Sequence, residues 1–272
     1  VLPPAENIDW LLAAVRWLLD GPEAALFRGR RLIRPAAEDY PDSELSGDDL
    51  AVRVLDLTKQ YAGLGQSRTR LVRVDSPVQD LSDSLGGVRL ENSSAACPAE
   101  DALDGSESDE AVVIWTEDLL DEPDRMVAWF ARELGRIVVN RAGTEPPGAD
   151  SGAPVRELAA EVAAGLLGFG LFLIRAAFRL ESLVPATANA LLGLGLGGGW
   201  RPVIQGCLGQ EDLAYLLTVF CRYNGLSESE VSPWLGENAR VYFIEAERDL
   251  DQRGEFLMHL GELAMIGPGE ES

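Results

Sequence analysis

The run MVAWFARELGRIVVN, residues 126–140, decides how the chain is read. Its apolar positions fall at Val127, Phe130, Leu134, Ile137 and Val138. Steps of three and four predict an amphipathic helix with one buried face. In its middle stands Arg132-Glu133-Leu134-Gly135-Arg136. The two arginines are four residues apart and so share one face of the helix.

The chain has 272 residues and is 46% hydrophobic, enough for one large domain with a packed core. Its 23 basic and 45 acidic residues give a formal charge of −22. Such a field repels nucleic acid and anionic membrane, so neither is expected as a partner. Lys59 is the sole lysine, and the other basic residues are arginine. Cys97, Cys207 and Cys221 are odd in number and far apart, which argues against a disulfide framework and favours a reducing, cytoplasmic setting. The first residues, VLPPAE, lack the basic and apolar regions of a signal peptide. Residues 162–174 (VAAGLLGFGLFLI) are uncharged, but a bilayer span needs ~20 apolar residues. Glu157, Glu161, Arg175 and Arg179 bracket them. A buried core helix is the expectation, and no membrane span.

Periodicity predicts further helices over 6–20, 48–61, 154–180, 210–223, 233–249 and 255–266. Short strands are expected over 31–34, 69–74 and 111–115. Residues 182–200 are Gly-rich and interrupted by proline, and read as a loop. The fold class is therefore α+β, mainly helical, with a few short N-terminal strands. One domain is expected over 1–272. It comprises an N-terminal α/β part (1–90), an acidic loop (91–110), a helical core (111–266) and a frayed tail (267–272).

Several stretches carry a resemblance. They are RLIRP at 31–35, YPD at 40–42, the helix 48–61, the strand 111–115 and ARELGR at 131–136. Then come ELAAE at 157–161, LGFGLF at 167–172, AAF at 176–178 and GCLGQEDLAY at 206–215. In this order they resemble a bacterial family of mostly uncharacterised proteins similar to gluzincin-type zinc peptidases. The resemblance implies a zincin-like helical core. It also implies that residues 132–136 stand where such proteins carry His-Glu-x-x-His. There, two imidazoles and an acidic residue from a following helix hold Zn²⁺, and the glutamate between the histidines is the general base. Carried over, the ligand positions fall on Arg132 and Arg136, the base on Glu133, and the third ligand on Glu157 or Glu161.

This chain departs from the pattern at the decisive positions. A guanidinium stays protonated and cannot ligate a cation. The only histidine, His259, lies in the last predicted helix. The resemblance therefore implies a pseudoenzyme, with no metal, no cofactor and no peptidase activity. Glu133, Glu157 and Glu161 could hold a hard cation such as Ca²⁺, but two neighbouring arginines oppose it. Glu157 and Glu161 are also four apart on one helical face. Residues Arg132, Glu133, Arg136, Glu157 and Glu161 are thus expected to form a salt-bridge cluster joining two core helices.

Other motifs are weak. GLGLGG at 193–198 matches G-x-G-x-x-G but follows no strand. A Ser-His-Asp or Cys-His site would depend on His259 alone. Trp10 and Trp17, seven apart, share a face that is either core or a docking surface. Three functions follow: a metallopeptidase-like binding or scaffolding module for a protein or peptide partner, a zinc-independent hydrolase using Glu133, Glu157 or Glu161, or a structural subunit. A homo-oligomer fits any of them.

Overall fold

A computed structural model describes residues 2–40, 44–74, 110–149, 155–177, 179–182, 200–203 and 208–265. The elements are α1 (Ala5–Leu19), α2 (Gly47–Tyr61), β1 (Arg68–Val74), β2 (Glu110–Thr116) and α3 (Pro123–Arg141). There follow α4 (Val155–Ala164), a π-helical turn (Gly165–Phe169), α5 (Gly170–Ala177), β3 (Arg179–Ser182) and β4 (Trp200–Val203). The chain continues with α6 (Gln210–Asn224), α7 (Glu237–Leu250) and α8 (Gly254–Met265). The protein is mainly helical, with short strand pairs, in the α+β class.

The strand β1 pairs with β2 in parallel, from Arg68 opposite Glu110 to Val74 opposite Thr116. β3 and β4 form a separate antiparallel pair. This second pair corrects the expectation of strands only in the N-terminal part. It also shortens the predicted helix 154–180, which ends at Ala177. That helix is interrupted as well. Gly168 has φ of 103°, a left-handed value that suits glycine, and breaks the α-helical ladder into a π turn.

The interruption explains why residues 31–34 do not form the strand expected of them. The Ile33 N–H donates to the Gly168 carbonyl at 3.0 Å. A Cβ on Gly168 would lie 2.4 Å from the Arg31 carbonyl oxygen. The extended segment therefore docks into a helix kink rather than onto a strand. The adjacent polar turn is tied by the buried Asp39, which accepts from Arg31 Nη1 at 2.6 Å and the Arg34 N–H at 2.7 Å.

The core lies around α3. Every residue from Met126 to Gly135 is buried, so this helix is enclosed over that stretch instead of burying one stripe, while Ile137 is only partly covered. Its broadest contact is with α4, and α2, α5 and β2 close the remaining sides. The run Val155–Ala177 reaches 23 residues and a mean hydropathy of 1.8, long and apolar enough to cross a bilayer, but 89% of that window is buried inside the fold. It packs against α3 and α6, where Leu216 and Leu217 of α6 lie beside Gly165 and Gly170. On α1, Trp10 donates to the Pro147 carbonyl at 2.9 Å and Trp17 to Thr144 Oγ1 at 2.8 Å. Their shared face holds down the loop after α3. The acidic loop (except Glu110, which opens β2), the segment 193–198 and the tail 267–272 lie outside the described residues.

Candidate functional site

The site begins with a glycine. A Cβ on Gly135 would lie 2.1 Å from the Ala160 carbonyl oxygen and 3.1 Å from the Ala164 nitrogen. Without one, α3 and α4 approach backbone to backbone. The residues three before and one after the contact on each helix then face each other across a short gap. On α3 these are Arg132 and Arg136, and on α4 Glu157 and Glu161.

The structure brings all five named residues together. Arg132 Nε donates to Glu161 Oε1 at 2.9 Å, and Nη2 lies 2.9 Å from the same oxygen as an ion pair. The Arg132 side chain is 11% exposed and that of Glu161 1%. The second oxygen of Glu161 accepts the Leu208 N–H at 2.9 Å, which ties the approach to α6 into the same cluster. Arg136 forms a two-pronged pair with Glu157, Nε to Oε1 at 3.1 Å and Nη2 to Oε2 at 2.7 Å. Its remaining amino group, Nη1, donates to Glu133 Oε1 at 2.6 Å. The fork geometry of guanidinium suits this double engagement, which an ammonium could not copy.

Electrostatics follow from burial and from these pairs. Burial pushes the Glu133 carboxyl above its ordinary range, and the Arg136 guanidinium pulls against it. Burial also works against the charge on Arg136, but Glu133 and Glu157 outweigh it and hold the group firmly protonated. Cationic nitrogen therefore fills the space between the carboxylates. Among the described residues, no group of three or more His, Cys, Asp or Glu side chains is placed to hold a metal ion. His259 lies on α8 with Nε2 3.1 Å from Asp20 Oδ1, and takes no part in the cluster. Cys221 is a buried free thiol whose pKa burial pushes up to about 12, which leaves it inert. Cys97 and Cys207 lie outside the described residues.

Two groups in and beside the cluster were not anticipated from the sequence. The Leu208 N–H is a backbone group and leaves no side-chain signal. Asp212 accepts the Gly209 N–H at 3.1 Å, closing the first turn of α6, and Asn7 Nδ2 at 3.3 Å. The Gly-x-x-Asp spacing of a helix start was the available clue. Burial, with Glu211 and Glu161 nearby, raises the Asp212 carboxyl. A raised native value means that the folded state holds this proton more tightly than the unfolded chain does. Stability from this group is thus greatest in acid, and falls as pH rises from about 4 through the raised value. Asp212→Asn removes the titration. Urea unfolding across pH 4 to 7 should show the variant improving relative to the parent as pH rises. A constant or opposite difference would contradict the assignment.

No known protein family, curated protein or solved structure matches the chain.

Proposed function

We propose that this protein is a non-catalytic, metallopeptidase-like scaffold that works by binding a protein or peptide partner. In this reading the Arg132–Glu161 and Arg136–Glu157 pairs replace a zinc ion as the joint between two core helices. The single supporting observation is the position of the two guanidinium groups. They project from one face of α3 onto carboxylates of α4, at hydrogen-bond distance and largely out of solvent.

The same geometry weighs against a hydrolase using these carboxylates. A general acid or base must reach its substrate. The Glu133 side chain is 7% exposed and Glu161 1%, and both are engaged by arginine or backbone. It also separates the binding role from the cluster itself, since a filled joint offers no groove. The partner must dock elsewhere on the surface. As for a purely structural subunit, the exposed large apolar side chains among the described residues are Leu45, Val52, Val112, Val241 and Met258. They are distributed before α2 and over α2, β2, α7 and α8, not gathered on one element.

The test is to restore the imidazoles. A double variant, Arg132→His with Arg136→His, places two neutral nitrogens one helical turn apart, opposite Glu157 and Glu161. It should take up about one Zn²⁺ per chain, read by equilibrium dialysis with elemental analysis, and zinc should raise its melting temperature. Absence of zinc uptake by a folded double variant would overturn the zincin-like reading of the helix pair.

A further inference from the structure

The segment FRGRRLIR, residues 27–34, holds four of the 23 basic residues of a chain whose formal charge is −22. Two of these arginines are turned toward solvent, and each lies on an aromatic ring. The Arg31 guanidinium is 4.6 Å from the centroid of Tyr61, and that of Arg34 is 5.5 Å from Trp234. Their side chains are 53% and 37% exposed. Both reach the same buried carboxylate: Asp39 lies 2.6 Å from Arg31 Nη1 and 3.7 Å from Arg34 Nε. Sharing Asp39 ties the two guanidinium groups to one anchor, and each also rests against a ring.

Within residues 27–39 arginine outnumbers the acidic residues. Arg28, Arg30, Arg31 and Arg34 stand against Asp39 and Glu38. Arg30 spends its guanidinium on the Leu26 and Tyr61 carbonyls. Glu38, 73% exposed, meets Arg34 Nη2 at 2.9 Å. It shows that this edge of Arg34 receives a carboxylate from the solvent side, and it is the group an incoming carboxylate would displace.

We propose that this arginine–aromatic face docks an acidic peptide segment of a partner protein. The proposal rests on the scaffold reading above and gives that scaffold its partner class. A guanidinium over a ring can still hydrogen-bond along its edge, and its fork matches a carboxylate. With Arg31 Nη1 on Asp39 and Arg34 Nη2 on Glu38, an incoming carboxylate competes with the exposed Glu38. The overall negative charge does not forbid this. At physiological ionic strength the Debye length is about 8 Å, so charges within the face dominate those across the molecule. A short acidic peptide meets only that local field, whereas a long nucleic acid strand meets the whole −22.

The test uses fluorescence anisotropy with a labelled hexaglutamate peptide and the full chain at about 0.15 M salt. Saturable binding is expected, weakened roughly tenfold or more by Arg31→Ala and by Arg34→Ala. Arg31→Lys should fail to restore it, since a point charge lacks the fork. Arg156→Ala, an exposed arginine on α4, should leave binding unchanged. If an alanine variant unfolds, Arg31→Lys and Trp234→Leu carry the test, both with reduced binding expected. The proposal is overturned if the parent does not bind, or if Arg156→Ala weakens binding as much as Arg31→Ala. It is also overturned if hexalysine or a single-stranded oligonucleotide binds more tightly, or if millimolar inorganic phosphate displaces the peptide. None of these variants touches the α3–α4 joint, so the zinc experiment and this one fail independently.

Discussion

Glu161→Leu is expected to lower stability by about 3–5 kcal/mol, because it removes the carboxylate that pairs with a buried arginine. It also takes the acceptor from the Leu208 N–H. The double variant Arg132→Met with Glu161→Leu should recover most of that loss. A well-packed apolar pair of similar volume is often as stable as a buried ion pair, or more so by ~1–4 kcal/mol. Recovery should stop short of complete, since the Leu208 N–H still lacks its acceptor. Glu157→Ala should cost much less, as that carboxylate and Arg136 are about a quarter exposed. Urea denaturation of the three variants measures all of this. A loss below about 1 kcal/mol for Glu161→Leu would show that the buried pair does not join the helices.

The second large effect comes from one methyl group. In an exposed helix interior, glycine to alanine gains up to ~1 kcal/mol through backbone entropy. At Gly135 the sign should reverse. The added Cβ would sit 2.1 Å from the Ala160 carbonyl oxygen, a backbone atom of a buried helix that has no rotamer to change. Either α3 and α4 separate, which stretches the Arg132 and Arg136 pairs, or the helices bend. Overpacking of this kind costs ~1–3 kcal/mol, and loss of the ion pairs would add to it. Gly135→Ala should therefore destabilise by at least ~2 kcal/mol. Chemical denaturation measures the loss, and a neutral or stabilised variant would contradict the backbone contact that organises the site.

Much of this was legible before any coordinates. Paired charges at i and i+4 on two successive helices, of opposite sign, announced which faces meet, and the structure places Arg132, Arg136, Glu157 and Glu161 across that gap. Helix positions followed from apolar periodicity, which works where one stripe is buried. It misled at α3, where Met126 to Gly135 is enclosed, because full enclosure erases the polar stripe that periodicity needs. It could not distinguish a strand from an extended strap at residues 31–34, because both alternate. The strap's partner is the carbonyl of Gly168 in a helix kink, and that partnership has no repeating pattern to read. The four-residue strands β3 and β4 were too short to register. Gly135 was visible as a letter, but its reason was not, since only the position of Ala160 makes glycine necessary.

Everything proposed for the cluster depends on guanidinium standing where a divalent ion would otherwise lie. The most direct measurement is the metal content of the native chain, purified from zinc-supplemented culture and analysed by inductively coupled plasma mass spectrometry. The arginine joint predicts far less than one transition metal per chain, with unchanged thermal stability after treatment with a chelator. One zinc per chain, removable by chelator with loss of stability, would contradict it.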